Sequence, residues 1–98
     1  MVKHIVMFRL AGEDAERQAM AERFKAALEA LPATVEGLTS IEVGLNDGPA
    51  AGNWHIVLTA VCPDYEALEA YSAHPAHLAC VAIIKPAIEA RACVDYTF

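Results

Sequence analysis

The residues best suited to chemistry lie around one proline, at Tyr71, His74 and His77 with Pro75 between them. Histidine is the natural general base near neutral pH, because its unperturbed pKa is about 6.5. A tyrosine hydroxyl nearby could donate to an enolate oxygen or hold the imidazole in place. A helix break at Pro75 can turn two segments so that Tyr71 and His77 meet. The alternative is structural: the two side chains hydrogen-bond each other and stabilise the break.

No metal site is expected in this chain. His74 and His77 have a metal-like spacing, but Pro75 breaks the helix face that would align them. His74 is expected to cap or turn the break instead. The chain has three widely spaced cysteines, and no pair of them has the spacing of zinc ligands. They are typical of buried, reduced thiols in a cytoplasmic protein; they are Cys62, Cys80 and Cys93.

Two further histidines fall in predicted strands. His4 alternates with Val6 and Phe8 on the face that we assign to the helices, and His55 shares a face with Val57. A half-buried histidine needs a hydrogen-bond partner. Each could line a pocket beside His77, or could have a structural role through a bond to a tyrosine or a backbone carbonyl.

Apolar periodicity predicts four strands and two helical regions that would position these side chains. The predicted strands are 3–10, 38–46, 53–62 and 90–98. The helices are 14–31, ending at Pro32, and a second that opens at Asp64, breaks at His74–Pro75 and ends at Pro86. The order β-α-β-β-α-β predicts a single ferredoxin-like α+β domain over residues 1–98, with an antiparallel sheet and both helices on one face.

The chain is more apolar than a small monomer can easily hide. Its hydrophobic content is 56%, against a usual value of about 45–50%, and a small domain has a thin core. The helices can cover only one face of the sheet, and a large exposed apolar patch usually marks an interface. We therefore expect a homodimer that forms an α/β barrel. The predicted interface residues are Ile5, Met7, Trp54, Ile56 and Leu58.

Charge argues against two classes of partner. The net charge is -6, with seven lysines and arginines scattered along 98 residues, so nucleic acid and anionic membranes are unfavourable partners. No apolar run is long enough to span a bilayer, and the N-terminal residues lack a secretory signal pattern.

Asp95 is expected to pair with Arg91 or Arg9 at a sheet edge.

Four segments resemble one known family, the stress-responsive α/β-barrel or Dabb domains. They are Ala70-Tyr71-Ser72-Ala73-His74-Pro75-Ala76-His77, Arg91-Ala92-Cys93-Val94-Asp95-Tyr96, the opening Val2 to Arg9, and Val43-Gly44-Leu45-Asn46. The resemblance covers nearly the whole chain and implies a dimeric α/β barrel. It does not imply one activity, because many members have no assigned reaction.

A plant polyketide cyclase of this family closes its substrate by an aldol reaction, with a histidine base assisted by a tyrosine. By similarity, His77 falls on the base position and Tyr71 on the tyrosine position, while His4 and His55 fall on histidines near that pocket. The chain has Ala26 and Ala27 where a cyclase helix tends to carry bulkier aromatic groups.

The expected function is binding of a small hydrophobic or aromatic molecule between helices and sheet. The expected walls are Val6, Phe8, Val57, Leu78 and Val81. Any reaction would be proton abstraction beside a carbonyl, with His77 as base and Tyr71 as orienting donor, and it would require no cofactor. The alternatives are a non-catalytic stress or assembly protein and a cofactor-free monooxygenase. An open pocket reaching His77 would favour ligand binding, and a packed interior would favour the non-catalytic stress or assembly protein.

Overall fold

The computed structural model describes residues 1–98 and contains a four-stranded antiparallel sheet covered on one side by helices. The strands are β1 (Val2–Leu10), β2 (Ser40–Leu45), β3 (Ile56–Cys62) and β4 (Ile88–Thr97). The helices are α1 (Asp14–Glu29), α2 (Tyr65–Ala73) and α3 (Pro75–Ile84), with short 3-10 turns at Leu31–Ala33 and Lys85–Ala87. The strand order across the sheet is β2-β3-β1-β4. The predicted α+β, ferredoxin-like fold is confirmed.

The ends of α1 follow from local chemistry. Asp14 and Glu16 lie in its first turn, where carboxylates complement the positive end of the helix dipole. Pro32 lies in the 3-10 turn after the helix, because proline cannot continue an α-helix interior. The regular helix therefore ends at Glu29, two residues before the predicted boundary. None of the helices combines the length and the apolar character needed to cross a bilayer.

The core lies between the helices and the covered face of the sheet. Phe24 and Leu28 of α1 and Ile84 of α3 are completely buried there. Phe8 of β1 meets Phe24 edge to face, with ring centroids 5.6 Å apart, a favoured arrangement of aromatic pairs. These contacts fix the helical layer over β2, β3 and β1.

The strand register corrects the predicted faces of β3. Val6 pairs with Leu58 and Phe8 with Ile56, so both β3 residues face the helices and are buried. Val57 pairs with Met7 on the opposite face, and both are exposed. The expected interface role of Ile56 and Leu58 is therefore wrong, as is the helix-side position of Val57. Both faces of β3 are apolar, so alternation alone could not tell them apart.

The face of the sheet away from the helices carries exposed apolar side chains. We call this surface the open face and define it by Ile5, Met7, Val57, Val94 and Tyr96. Ile5 is half-buried, and the other four are among the exposed large hydrophobic residues of the chain. A surface of this kind is uncommon on a soluble monomer.

The free edge of β2 is partly occupied by α1. The ammonium of Lys25 donates to the carbonyl of Val43 at 2.5 Å, and the Glu29 carboxylate accepts from the N–H of Val43 at 3.2 Å. Unpaired backbone groups on an edge strand invite pairing with another chain. These two side chains therefore block the middle of β2 and also tie α1 to the sheet.

The corrected register predicts different costs for two leucine truncations. Leu58→Ala should lower the free energy of unfolding by about 2–5 kcal/mol, because Leu58 is in the core. Leu78→Ala is the matched control: Leu78 is 55% exposed, so its loss should cost about 0.5 kcal/mol or less. Urea unfolding at one protein concentration measures both, and equal losses would contradict the assigned faces.

Candidate functional site

The break between α2 and α3 is built by His74 and Pro75. Asp64 caps α2 by accepting a hydrogen bond from the N–H of Ala67 at 2.8 Å. His74 has extended backbone angles, and its ring accepts a hydrogen bond from the N–H of Ala76 at 3.0 Å. Pro75 is the first residue of α3, where a missing N–H is tolerated. The predicted capping role of His74 is confirmed.

The break brings Tyr71 of α2 against His77 of α3. Their ring centroids are 4.5 Å apart, with the ring planes inclined at 50°. Tyr71 is fully buried, and its hydroxyl oxygen has no hydrogen-bond partner. The two side chains meet as predicted, but the hydrogen bond that the structural alternative required between them is absent.

The orientation of His77 is set by a backbone carbonyl. Its Nδ1 lies 3.0 Å from the carbonyl oxygen of Ser72. A carbonyl oxygen can only accept, so Nδ1 carries the proton and donates it. In the neutral ring the lone pair is then on Nε2, which makes Nε2 the basic nitrogen.

A second pair lies on the other side of Tyr71. His4 is buried in β1, and its Nδ1 donates to the carboxylate of Asp95 in β4 at 2.5 Å. The ring of His4 approaches Tyr71 edge-on, with centroids 6.3 Å apart. Asp95, His4, Tyr71 and His77 thus form a continuous polar row from β4 to α3, which we call the His–Tyr row.

The partner of Asp95 in the structure differs from the partner predicted from the sequence. We expected Asp95 to pair with Arg91 or Arg9, but Arg9 pairs with Glu89, Nε to Oε1, at 3.4 Å. Antiparallel pairing places Asp95 directly opposite His4. His4 itself could have indicated this pair, because a polar side chain on the apolar, helix-facing side of a strand requires a hydrogen-bond partner.

Burial sets the protonation of two members of the row. It lowers the pKa of His77 from 6.5, while the bond to Ser72 opposes this shift and the positive charges of neighbouring groups add to it. Burial raises the pKa of the Tyr71 phenol above its ordinary value of 10. Near neutral pH the row therefore contains an unprotonated imidazole beside a protonated phenol.

His55 does not belong to this row. Its Nδ1 accepts a hydrogen bond from the N–H of Leu10 at 2.9 Å. Leu10 is six residues from His4 along β1, which is roughly 20 Å in an extended strand. The expectation that His55 lies beside His77 is therefore wrong. Burial, followed by the charges of Arg17 and Arg9, lowers the pKa of His55.

The expected apolar walls do not surround an open pocket. Val6 and Phe8 are buried in the packed core, and Val81 is half-buried on α3. Val57 belongs to the open face, and Leu78 is exposed. The five side chains lie in different environments, so the prediction that they line one pocket is wrong.

Two surface hollows lie at the other end of the sheet. One, of about 460 Å³, is on the open face and is bordered by Met7, Trp54 and Val57. The other, of about 580 Å³, lies between the start of α1 and the loop before β3. His55 borders both hollows, whereas the His–Tyr row borders neither.

The fold and the row define a small ferredoxin-like α+β protein with a histidine–tyrosine cluster beneath a helix break. The family model of the stress responsive A/B barrel domain, Dabb, matches residues 2–98. The chain therefore belongs to this family, as its sequence resemblance implied. Comparison with curated proteins gives no match.

Solved structures with the same fold include proteins described as dimers. A dimeric ferredoxin-like protein of unknown function from Bacteroides fragilis NCTC 9343 is 40% identical with a TM-score of 0.94, over 99% of this chain and 95% of that chain. One from Thermobifida fusca YX is 32% identical with a TM-score of 0.83, over 99% and 90%. An antibiotic biosynthesis monooxygenase is 13% identical with a TM-score of 0.78, over 100% and 98%, which is a likeness of fold alone.

The environment of His77 predicts how the folding stability of the protein depends on pH. The unfolded chain takes up a proton at His77 as pH falls through about 6.5, whereas the folded chain resists protonation because burial lowers its pKa. His77 should therefore reduce folding stability as pH falls below about 6.5. An NMR titration of the ring protons, assigned with His77→Gln, should give a pKa below 6.5. A value at or above 6.5 would contradict the assigned burial.

Proposed function

We propose that this protein binds a small hydrophobic or aromatic carbonyl compound at the His–Tyr row and transfers a proton on it, with His77 as general base. The observation that carries the proposal is the unpaired hydroxyl of Tyr71. It is completely buried, yet no protein atom accepts its proton or donates to its oxygen. Buried polar groups are nearly always hydrogen-bonded, so an exception calls for a partner such as a ligand oxygen or a water.

The orientation of the His77 ring supports its assignment as the general base. The Ser72 carbonyl holds the Nδ1 proton, which leaves Nε2 free to accept one. Because burial keeps the pKa of His77 below 6.5, the ring is unprotonated at neutral pH. A general base must be unprotonated before the reaction, and His77 meets this condition.

The reaction needs a donor for the charge that forms on oxygen. His77 Nε2 takes a proton from the carbon beside a carbonyl, and the electron pair of the C–H bond moves to give an enolate. The Tyr71 hydroxyl donates a hydrogen bond to the enolate oxygen, and the imidazolium later returns its proton to the product. The raised pKa of Tyr71 keeps this donor protonated throughout.

His4 and Asp95 act through Tyr71 in this proposal. The carboxylate accepts the Nδ1 proton of His4 and so fixes its ring edge-on to the phenol. We therefore assign them as positioning residues rather than catalytic ones. Neighbouring apolar side chains of the core, Val6 among them, favour an uncharged hydrophobic or aromatic ligand.

Ligand access is proposed from the side of β4. The helix-facing side chains of β4 are exposed, while His4 on the neighbouring strand is buried. His77 is half-buried, whereas Tyr71 is completely buried. Local opening of the α2–α3 break would complete the path, because the interior around Tyr71 is packed.

A second candidate is a non-catalytic stress or assembly protein. The specific observation in its favour is that the two hollows described above do not reach the His–Tyr row. In that case Tyr71 and His77 serve only to pack the break. A cofactor-free monooxygenase has no comparable support, since it rests on likeness of fold alone, as to the antibiotic biosynthesis monooxygenase at 13% identity.

Replacement of Tyr71 by phenylalanine separates the two candidates. Removing an unpaired buried hydroxyl should leave the free energy of unfolding unchanged or raise it by about 1–3 kcal/mol. The same change should weaken any ligand that shifts the His4 and His77 ring signals by about tenfold, the equivalent of one lost hydrogen bond. The measurements are urea unfolding and an NMR screen of small aromatic ketones and phenols, with His55→Gln as a remote control. A screen without shifts at His77 would support the assembly protein.

We further propose that the open face is the interface of a homodimer. Its exposed apolar side chains extend across β1, β3 and β4, and the relatives described above at 40% and 32% identity are dimeric. Two copies related by a two-fold axis would bury the same surface on each chain. Of the predicted interface residues, Ile5, Met7 and half-buried Trp54 remain compatible with this face.

A single charge on the open face should dissociate the dimer. Val57→Asp would bury a carboxylate without a partner, which costs several kcal/mol per ion. Leu78→Asp is the control, because Leu78 is exposed on α3. Light scattering after size exclusion should give the mass of one 10.5 kDa chain for Val57→Asp and of two chains for the control. Two chains for both variants would refute this interface.

A further inference from the structure

Three potential metal ligands of different chemistry converge between β1 and β4. His4 Nδ1, Cys93 Sγ and an Asp95 carboxylate oxygen all lie within 4.8 Å of one another. Sγ is 3.5 Å from Nδ1 and 3.5 Å from Oδ1, and Nδ1 is 2.5 Å from Oδ1. Nitrogen, thiolate sulfur and carboxylate oxygen are the ligand types of zinc.

These separations can be compared with a tetrahedral zinc centre. Zinc bond lengths of about 2.3 Å to sulfur and 2.0–2.2 Å to nitrogen or oxygen place two ligand atoms roughly 3.4–3.6 Å apart at the tetrahedral angle. Both distances from Sγ already have this value. Only the contact between His4 and Asp95 is too short, by about 0.9 Å, because the two now share a hydrogen bond. The carboxylate can move this far, since the Asp95 side chain is 35% exposed.

The strands hold the ligands on a rigid base. Cys93 and Asp95 are two residues apart on β4, so both point to the same side of the sheet. Pairing places Asp95 opposite His4 and Cys93 opposite Val6, which identifies this side as the helix side. Because the helices leave β4 exposed there, a cation can enter from solvent. The proposed dimer would cover the opposite face and leave this one free.

We propose that His4, Cys93 and Asp95 form a three-ligand site for Zn²⁺, with water in the fourth position. One thiolate and one carboxylate balance the two positive charges of the ion, and the imidazole contributes a neutral ligand. Binding moves the imidazole proton from Nδ1 to Nε2 and releases the thiol proton of Cys93 to solvent, so each zinc ion displaces one proton from the cluster. Three protein ligands with one open position are the pattern of zinc sites that can react.

The zinc site shares His4 and Asp95 with the His–Tyr row, but its assignment does not rest on the proposed proton-transfer function. Cys93 takes no part in the His–Tyr row mechanism, and the assignment of Zn²⁺ stands on ligand type and spacing alone. Occupancy would nevertheless break the hydrogen bond between His4 and Asp95, because one Nδ1 cannot both donate to the carboxylate and bind the metal.

The test is titration of reduced, metal-free protein with Co²⁺, followed by displacement with Zn²⁺. The wild-type chain should bind one Co²⁺ and show thiolate-to-cobalt charge transfer together with the intense visible bands of tetrahedral Co²⁺. Cys93→Ala should lack the charge-transfer band and bind at least about tenfold more weakly. Cys80→Ala is the matched control, with a buried thiol elsewhere on α3, and it should behave as wild type.

Two further measurements complete the test. Asp95→Asn should weaken Co²⁺ binding while retaining the thiolate band, and calorimetry of Zn²⁺ binding in buffers of different ionisation enthalpy should count one released proton. Cobalt binding without a thiolate band in the wild type, or an unchanged affinity in Cys93→Ala, would overturn the proposal. Cys93 is exposed, so its predicted burial is wrong. Its replacement should therefore leave the fold intact, and circular dichroism of the variant is the check.

Discussion

One geometric constraint governs this molecule: a single layer of helices covers only one face of the sheet, and only three of its four strands. On the covered side, Leu58, Val6 and their neighbours form the core. On the other side, Met7 and Val57 are exposed, because no helix of their own chain covers this face. The proposed dimer is the direct consequence, because burial of apolar surface is the main favourable term in both folding and association.

The same constraint accounts for the polar chemistry at β4. Where the helices stop short, the helix-facing side chains of β4 are exposed, and polar groups such as Cys93 and Asp95 can occupy these positions. They still reach His4, which is buried on the adjacent strand. A buried histidine is thus connected to solvent through an exposed carboxylate and thiol. Both the proposed ligand entry and the proposed zinc site depend on this boundary between covered and uncovered sheet.

Sequence patterns predicted the element order, the helix break and the meeting of Tyr71 with His77, because proline chemistry and periodicity are local. They could not choose the faces of β3, since Ile56 and Val57 are equally apolar and the choice depends on register with β1. Asp95 was missed because its partner is 91 residues away. The apolar wall residues were wrongly grouped because residues on one predicted face can fill a core as readily as they can line a cavity.

Intermolecular NOEs in a mixed dimer test the central constraint most directly. One half of the sample carries ¹³C-labelled methyl groups and the other half is unlabelled. We expect filtered NOEs between methyl groups of the open face, such as those of Met7 and Val94, and protons of a second copy. Absence of such NOEs, together with the tumbling time of one 10.5 kDa chain, would show that this apolar face remains in water and would contradict the account.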